Sequence, residues 1–243
     1  MAHTRTVAVI GAMDCEVNAY LALLDRVQEN HYCGMTGYDG FRGSTRVIVA
    51  KSGIGKVNAA RCTQWLIDAF HPDVLINAGI AGALGKGLTI GDIVVADSLI
   101  QHDFDARGWG YAQGNLCDRS DPSHPTVFYP DRNVTERMKE AVREQAAGHQ
   151  CRVGRIVSGD VFIASKEKKT ELRELFDAEA GEMEGAAIAQ TAEKAGVPYA
   201  IVRVLSDNGE GEAGELIDSF EEVTAEQSGR VLKVFLDLLE RDH

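Results

Sequence analysis

The sequence predicts an α/β fold built on a mixed sheet with helices on both faces. Three observations carry this. Short β-branched runs alternate with amphipathic segments along most of the chain, the order in which strands and their covering helices follow one another. Several of those runs are apolar at consecutive positions, as strands buried on both faces are. The 243 residues, 44% of them hydrophobic, can bury a sizeable core without staples. No internal repeat and no linker-like stretch divides them, so a single domain over 1–243 is expected.

Thr6 to Ile10 reads as a buried strand ending at Gly11, followed by helical spacing from Asp14 to Leu24. Residues 30 to 51 read as a meander, with a hairpin signal at Tyr38-Asp39-Gly40 and a strand from Thr45 to Ala50. An amphipathic helix runs from Val57 to Phe70 and stops before Pro72. Val74 to Ala78 is a further buried strand that leads into Gly79-Ile80-Ala81-Gly82. Another strand starts at Gly91-Asp92-Ile93-Val94 and runs towards His102. Residues 107 to 130 have no period and form the longest expected loop, of a length that often serves function. Helices then read from Val134 to Ala147, Lys166 to Phe176 and Glu184 to Ala195, with strands at Arg152 to Val157 and Tyr199 to Leu205. Residues 208 to 215 are rich in Gly and Glu, with Gly209 to Glu215 reading equally as a lid leading to Phe220 or as a plain solvated loop, and Phe220 to Leu239 reads as a long closing helix.

Composition narrows the function. With 25 basic and 37 acidic residues the net charge is −12, the wrong sign for a protein that neutralises nucleic-acid phosphates. Cys15, Cys33, Cys62, Cys117 and Cys151 are widely spaced and form no C-x-x-C pair, which fits reduced thiols in a cytoplasmic enzyme. The apolar run after Met1 is too short for a signal peptide, and none approaches the 18 residues a membrane helix needs.

In open α/β sheets, functional groups gather at the carboxyl ends of strands. Three such ends carry candidates: Gly11-Ala12-Met13-Asp14-Cys15-Glu16, Gly79-Ile80-Ala81-Gly82 and Arg203-Val204-Leu205-Ser206-Asp207. Glu182-Met183-Glu184-Gly185 opens a helix. None is a nucleotide loop. Around Gly55-Lys56 a P-loop would need glycine at Ala50 and a hydroxyl at Val57. Gly79 and Gly82 alone read equally well as tight-turn markers. His102-Asp103 and Asp105 are of metal-ligating type, but no further ligand has sensible spacing, so a solvated or structural role is the favoured reading and no metal is expected. Glu16 taken alone reads as a first-turn acid complementing its helix dipole, and Asp207 as a turn or cap residue. Glu182 and Glu184, beside an apolar helix start, must find partners if buried. Without a Gly-x-Ser-x-Gly elbow, this acid inventory stops at a hydrolase or transferase acting on a small polar molecule.

The motifs together go further. Val9-Ile10-Gly11-Ala12-Met13-x-x-Glu16, Ser52-Gly53-Ile54-Gly55-Lys56-Val57-Asn58-Ala59-Ala60 and Asn77-Ala78-Gly79-Ile80-Ala81-Gly82 occur in order. Gly91-Asp92-Ile93-Val94, Ser158-Gly159-Asp160-x-Phe162-Ile163, Glu182-Met183-Glu184 and Arg203-x-x-Ser206-Asp207 follow. Over roughly residues 6 to 239 this series resembles the methylthioadenosine/S-adenosylhomocysteine nucleosidases of the nucleoside phosphorylase superfamily. The resemblance implies a three-layer α/β/α domain around a partly barrel-like mixed sheet, assembled as a homodimer, with no cofactor. It implies hydrolysis of the N-glycosidic bond of 5′-methylthioadenosine and S-adenosylhomocysteine. It also places Glu16 as the water-activating carboxylate, Asp207 as the acid that protonates the purine N7, and Ser206 as the group orienting it. Glu184 would bind the ribose hydroxyls, with Met13, Glu182, Met183, Arg203 and the Ile80-Ala81-Gly82 segment around the ribose. Phe162 and Ile163 would hold adenine. Ile54 and Phe220 would line the 5′-alkylthio pocket, with Trp109 reaching it across the dimer interface.

These roles suit the chemistry, because the ribosyl group gains positive charge and the base negative charge as the bond breaks. Asp207 must then hold a proton, which burial near other carboxylates would favour. The phosphorylase relatives place arginines where this chain has Asn77 and the Met13-Asp14-Cys15-Glu16 run, so hydrolysis is expected over phosphorolysis. Well-known nucleosidases have Asn-Thr-Gly-Ser-Ala-Gly where Ile80 replaces the serine here, which bears on placement of ribose or water. Related substrates are 5′-deoxyadenosine and 6-amino-6-deoxyfutalosine. A phosphorylase and a silent nucleoside-binding protein are the other readings, the last disfavoured by a retained water-activating acid.

Overall fold

The computed structural model describes residues 4–117, 121–145, 148–208 and 217–241, the side chains of 217–221 excepted. The described strands are β1 (Thr6–Gly11), β2 (Asp25–Tyr32), β3 (Met35–Arg42), β4 (Thr45–Lys51), β5 (Val74–Ala83), β6 (Ile93–Gln101), β7 (Cys151–Ser158), β8 (Ala178–Glu182) and β9 (Tyr199–Leu205). The helices are α1 (Asp14–Leu21), α2 (Lys56–Phe70), α3 (Arg132–Gln145), α4 (Lys166–Phe176), α5 (Gly185–Ala195) and α6 (Ile217–Arg241). The strands form one mixed sheet in the order β2-β3-β4-β1-β5-β8-β7-β6-β9. Because β9 also pairs with β5, the strands β5, β8, β7, β6 and β9 close on themselves as a barrel, and the other four extend from it.

The consecutive apolar runs are explained by burial on both faces. In β1, Ala8 and Ile10 belong to the core under α2 and α5, while Val7 and Val9 belong to the core under α1, α3 and α6. Strand β4 divides the same way, with Ile48 and Ala50 on one side and Val47 and Val49 on the other. A smaller cluster, with Leu172 and Phe176 of α4 against Leu84, Ile100, Val157 and Ile163, covers the barrel from another side. Helix α5 packs on α2 and on the barrel strands and buries Gly185, Ala186, Ala187, Ala189 and Ala192, small residues that let neighbouring elements approach closely.

Two expectations are corrected. Tyr38-Asp39-Gly40 lies within β3, and the flanking turns fall at Cys33-Gly34 and Gly43-Ser44. Asp39 is there for its side chain, which pairs with Arg46 on the adjacent β4. The helix after β1 ends at Leu21 and not Leu24, and β2 takes up Asp25 to Tyr32. That strand is exposed on nearly its whole length, so it carries no apolar period to read. Strand β8 also went unread. Its sequence, Ala-Glu-Ala-Gly-Glu, has small residues where it crosses the barrel and no β-branched signal.

Ala189 of α5 is fully buried in the core that also takes Ala59, Cys62 and Leu66 of α2. Ala189→Leu should therefore cost about 1–3 kcal/mol through overpacking. A urea melt measures this, and wild-type stability would show that the core around Ala189 has room for a larger side chain.

Candidate active site

The carboxyl ends of β1, β5, β8 and β9 converge on one pocket. Its walls include Ala12, Met13, Glu16, Ile54, Ile80, Ala81, Gly82, Val161, Phe162, Ile163, Gly181, Glu182, Met183, Glu184, Ser206 and Asp207. Most of the sequence-selected residues are thus brought together. Ala12, Val161 and Gly181 were not selected; they complete the walls with backbone and small apolar groups, which leave little sequence signal.

Glu16 does what its position in the first turn of α1 suggested, and more. Oε2 accepts from the N–H groups of Ala12 (2.6 Å) and Met13 (3.2 Å), closing the amino end of α1. Oε1 accepts from the Ile80 N–H at 3.1 Å, across to β5. That contact comes from the backbone, so the side chain at position 80 does not decide it. Burial pushes the Glu16 carboxyl up, against the pull of Arg203 and the three N–H donors. Gly79 makes room for this carboxylate: a Cβ there would sit 2.5 Å from Glu16 Oε1. The Gly79–Gly82 segment is extended strand, so its first glycine marks a close approach and not a tight turn.

Beneath the pocket lies a buried polar network. Arg203 of β9 is 1% exposed. Its Nη2 donates to Glu182 and to the Asn77 side chain, and its Nη1 to the carbonyls of Asn77 (3.2 Å) and Val202 (3.0 Å). Asn77 in turn donates to the Ile10 carbonyl at 2.8 Å. Glu182 ends β8. Its Oε2 also accepts from the N–H groups of Glu184 (3.1 Å) and Gly185 (2.7 Å), and Oε1 accepts from the Ser158 hydroxyl. Glu182 therefore caps α5, and its oxygens are engaged within the protein. Arg203 lies behind the pocket wall, bound to Glu182, and does not line the cavity.

Glu184 is the N-cap residue of α5 and faces the pocket. Its Oε1 accepts from the Gly55 N–H at 2.8 Å. Burial, and then the neighbouring Glu182 charge, push its carboxyl up to about 7.

Asp207 follows β9. Its Oδ1 accepts from the Ala83 N–H at 2.7 Å, and its Oδ2 lies 2.8 Å from Lys169 Nζ. The expected carboxylate neighbour is thus replaced by an ammonium. The Ser206 hydroxyl donates to the Ala81 carbonyl at 3.3 Å, so it acts on the Asp207 loop through the backbone. Lys169 went unnoticed because it ends the charged run Lys166-Glu167-Lys168-Lys169, which reads as a solvated face. Its register with Leu172 and Phe176, the other buried residues of α4, was the available signal.

The remaining candidates lie at the edge or outside. Ile54 and Phe162, 60% exposed in the latter case, line the pocket mouth. Trp109 is 82% exposed and does not line its own chain's pocket. The Phe220 side chain and the stretch 209–215 lie outside the described residues. Among the described residues no cluster of His, Cys, Asp or Glu could hold a metal ion. His102 is buried, Asp103 pairs with Lys56 at 2.5 Å, and Asp105 pairs with Arg107 at 2.6 Å.

The family model of the phosphorylase superfamily matches residues 6–240. The chain belongs to that superfamily. Among its relatives is a 5′-methylthioadenosine/S-adenosylhomocysteine nucleosidase of Staphylococcus aureus, 37% identical over 96% of this chain and 100% of that protein. The nucleosidase of that name from Neisseria meningitidis, solved with methylthio-immucillin-A, superposes with a TM-score of 0.88 at 38% identity, covering 96% of this chain and 99% of its own. A futalosine hydrolase of Helicobacter pylori superposes equally well, with a TM-score of 0.88 at 34% identity over 97% and 98% of the two chains. The closed sheet with helices on both sides is the fold of these superfamily members.

Glu184 gives the site a pH signature. Its usual value is 4.5, and in the fold it lies at about 7. The folded form holds the proton more tightly, so the extra stability is fully present below about 4.5 and is lost as pH rises through 7. Unfolding free energy should fall by on the order of 2–3 kcal/mol across that window, and Glu184→Gln should flatten the fall. Denaturant melts from pH 4.5 to 7.5 would measure it. An unchanged slope in the variant would mean that Glu184 is not the group responsible.

Proposed function

We propose that this chain is an adenine-nucleoside nucleosidase that hydrolyses 5′-methylthioadenosine and S-adenosylhomocysteine, releasing adenine and the thioribose product. It works as one domain, in a cytoplasmic homodimer. The supporting observation is the state of the two buried cations nearest the pocket. Arg203 is bound to Glu182 and Asn77, and Lys169 to Asp207. Phosphorolysis needs cationic donors held open for phosphate beside the ribose. A buried Glu16 carboxylate lines that part of the cavity, which would repel phosphate and suits activation of water.

In the proposed reaction Asp207 gives a proton to the purine N7 as the C1′–N9 bond lengthens. Glu16 takes a proton from the water whose oxygen bonds to C1′. Glu184 accepts the ribose hydroxyls, whose hydrogen bonds favour its ionised form. Phe162 stacks on adenine, and the Ile163 backbone reads its edge. Met13, Met183 and the Ile80–Gly82 backbone surround the sugar, while Ile54 and Phe220 meet the 5′ group. The exposure of Ile54, Phe162 and Trp109 supports a dimer in which Trp109 reaches the partner's pocket. Among the described residues no helix is long and apolar enough to cross a membrane.

A second reading, hydrolysis of 5′-deoxyadenosine or 6-amino-6-deoxyfutalosine, is favoured by the likeness to the futalosine hydrolase. It shares the adenine and ribose contacts and differs only at the 5′ end, where one methylene is worth about 1–3 kcal/mol.

Adenine release from methylthioadenosine should proceed at equal rates with and without phosphate and yield the free thioribose. A rate that requires phosphate and gives the sugar 1-phosphate would make the protein a phosphorylase. Asp207→Asn should lower kcat by about 10²–10⁴-fold while retaining partial inhibitor binding. A variant that keeps more than about a tenth of the wild-type rate would remove Asp207 from the acid role.

A further inference from the structure

Resting on the nucleosidase reading, we propose that Lys169 is a positioning residue for Asp207: from α4 it holds the carboxyl group in place against β5 and supplies the one positive charge that meets it among the described residues. Lys169 is 1% exposed, a costly place for an ammonium unless its charge is met. Its Nζ lies 2.8 Å from Asp207 Oδ2 and 2.9 Å from the Asn208 carbonyl oxygen. Helix α4 carries it there on the face that also buries Leu172 and Phe176, so the side chain is anchored by packing and not by solvent-side chance. With the Ala83 N–H on Oδ1, Asp207 is gripped from α4 and from β5.

The other charged groups around the pair are accounted for. Glu16, Glu182 and Glu184 share the same pocket wall. Arg203 is engaged by Glu182 and Asn77. On β7, Arg152 pairs with Glu179 of β8 and Arg155 donates to the Phe176 carbonyl. On α4, Arg173 donates to the Leu84 carbonyl and Lys168 pairs with Glu171. Among the described residues, Lys169 is therefore the cation that meets Asp207.

The consequence has two opposing parts. When Asp207 passes its proton to N7, the electron pair of the broken C1′–N9 bond goes to the base and Asp207 is left as carboxylate. An adjacent ammonium stabilises the carboxylate left behind. The same ammonium makes the proton harder to hold as pH rises. Removing it should slow the reaction where Asp207 is protonated in both proteins and spare it at higher pH.

The test compares kcat/KM for methylthioadenosine from pH 5 to 10 in wild type, Lys169→Met and Lys169→Arg. The ratio of Lys169→Met to wild type should rise with pH by about tenfold or more, because the ammonium bears on the proton-transfer step itself. Lys169→Arg, which keeps the charge, should give a flat ratio. In an Asp207→Asn background, Lys169→Met should change the residual rate little. A pH-independent ratio in Lys169→Met, or an arginine variant that behaves like the methionine one, would overturn the proposal. Lys169→Gln carries the same expectation if Lys169→Met is insoluble. Failure of both neutral variants to fold beside a native arginine variant would overturn it in favour of a purely structural ion pair. Wild type that releases no adenine would instead overturn the functional reading, so the two failures are distinguishable.

Discussion

One guanidinium organises the floor of the pocket. Arg203 reaches from β9 to Glu182 at the end of β8 and to Asn77 in the middle of β5, and Ser158 of β7 completes the grip on Glu182. A buried charge without partners is expensive, and removing one member of such a pair typically costs about 3–5 kcal/mol. The fold meets that constraint by closing the barrel around the pair. The strands that supply its members are those whose pairing makes β5 to β9 a closed set. Glu182 then transmits the constraint, because the same carboxylate that holds Arg203 caps α5 at Glu184 and Gly185. The direction of Glu184 into the pocket is thus a consequence of the ion pair beneath it.

The elements that the sequence made legible are those buried on both faces. β1, β4, β5 and β9 announce themselves as apolar, largely β-branched runs because both of their faces meet a core. β2 is exposed and β8 is built from small residues, so neither has a pattern to find. The misplaced turn at Tyr38-Asp39-Gly40 has a similar origin. Asp and Gly are turn residues on average, but here Asp39 serves a cross-strand partner, and a Cβ on Gly40 would crowd the Asp25 carbonyl and Leu24 at 3.2 Å.

The site divides along the same line. Its residues could be named because the motifs are short and local: Glu16 near Gly11, Glu184 beside Glu182, Asp207 after the last strand. Which of them touch one another could not, since that depends on strand order. Asp207 meets a lysine on α4 that lies 38 residues away, and Ser206 meets the carbonyl of Ala81. Glu182 and Arg203 stand among the pocket motifs, yet they are occupied with each other. Chemistry-bearing residue types were legible; their pairing was a property of the barrel.

The charge count at the pocket explains why such an arrangement would favour breaking a glycosidic bond. Glu16, Glu182 and Glu184 are all buried, and one guanidinium serves all three. The surplus has visible consequences: Glu184 is pushed up to about 7, with Glu182 a cause second only to burial, and Glu16 is raised by burial despite Arg203 and three N–H donors. The pocket wall therefore carries more carboxylates than the one guanidinium can balance. A ribosyl group that develops positive charge relieves this, and it does so more in the transition state than in the ground state, which is the condition for catalysis and not merely binding. A phosphate anion would aggravate it. The same surplus of carboxylates would thus favour water over phosphate as the partner of the sugar in the proposed reaction.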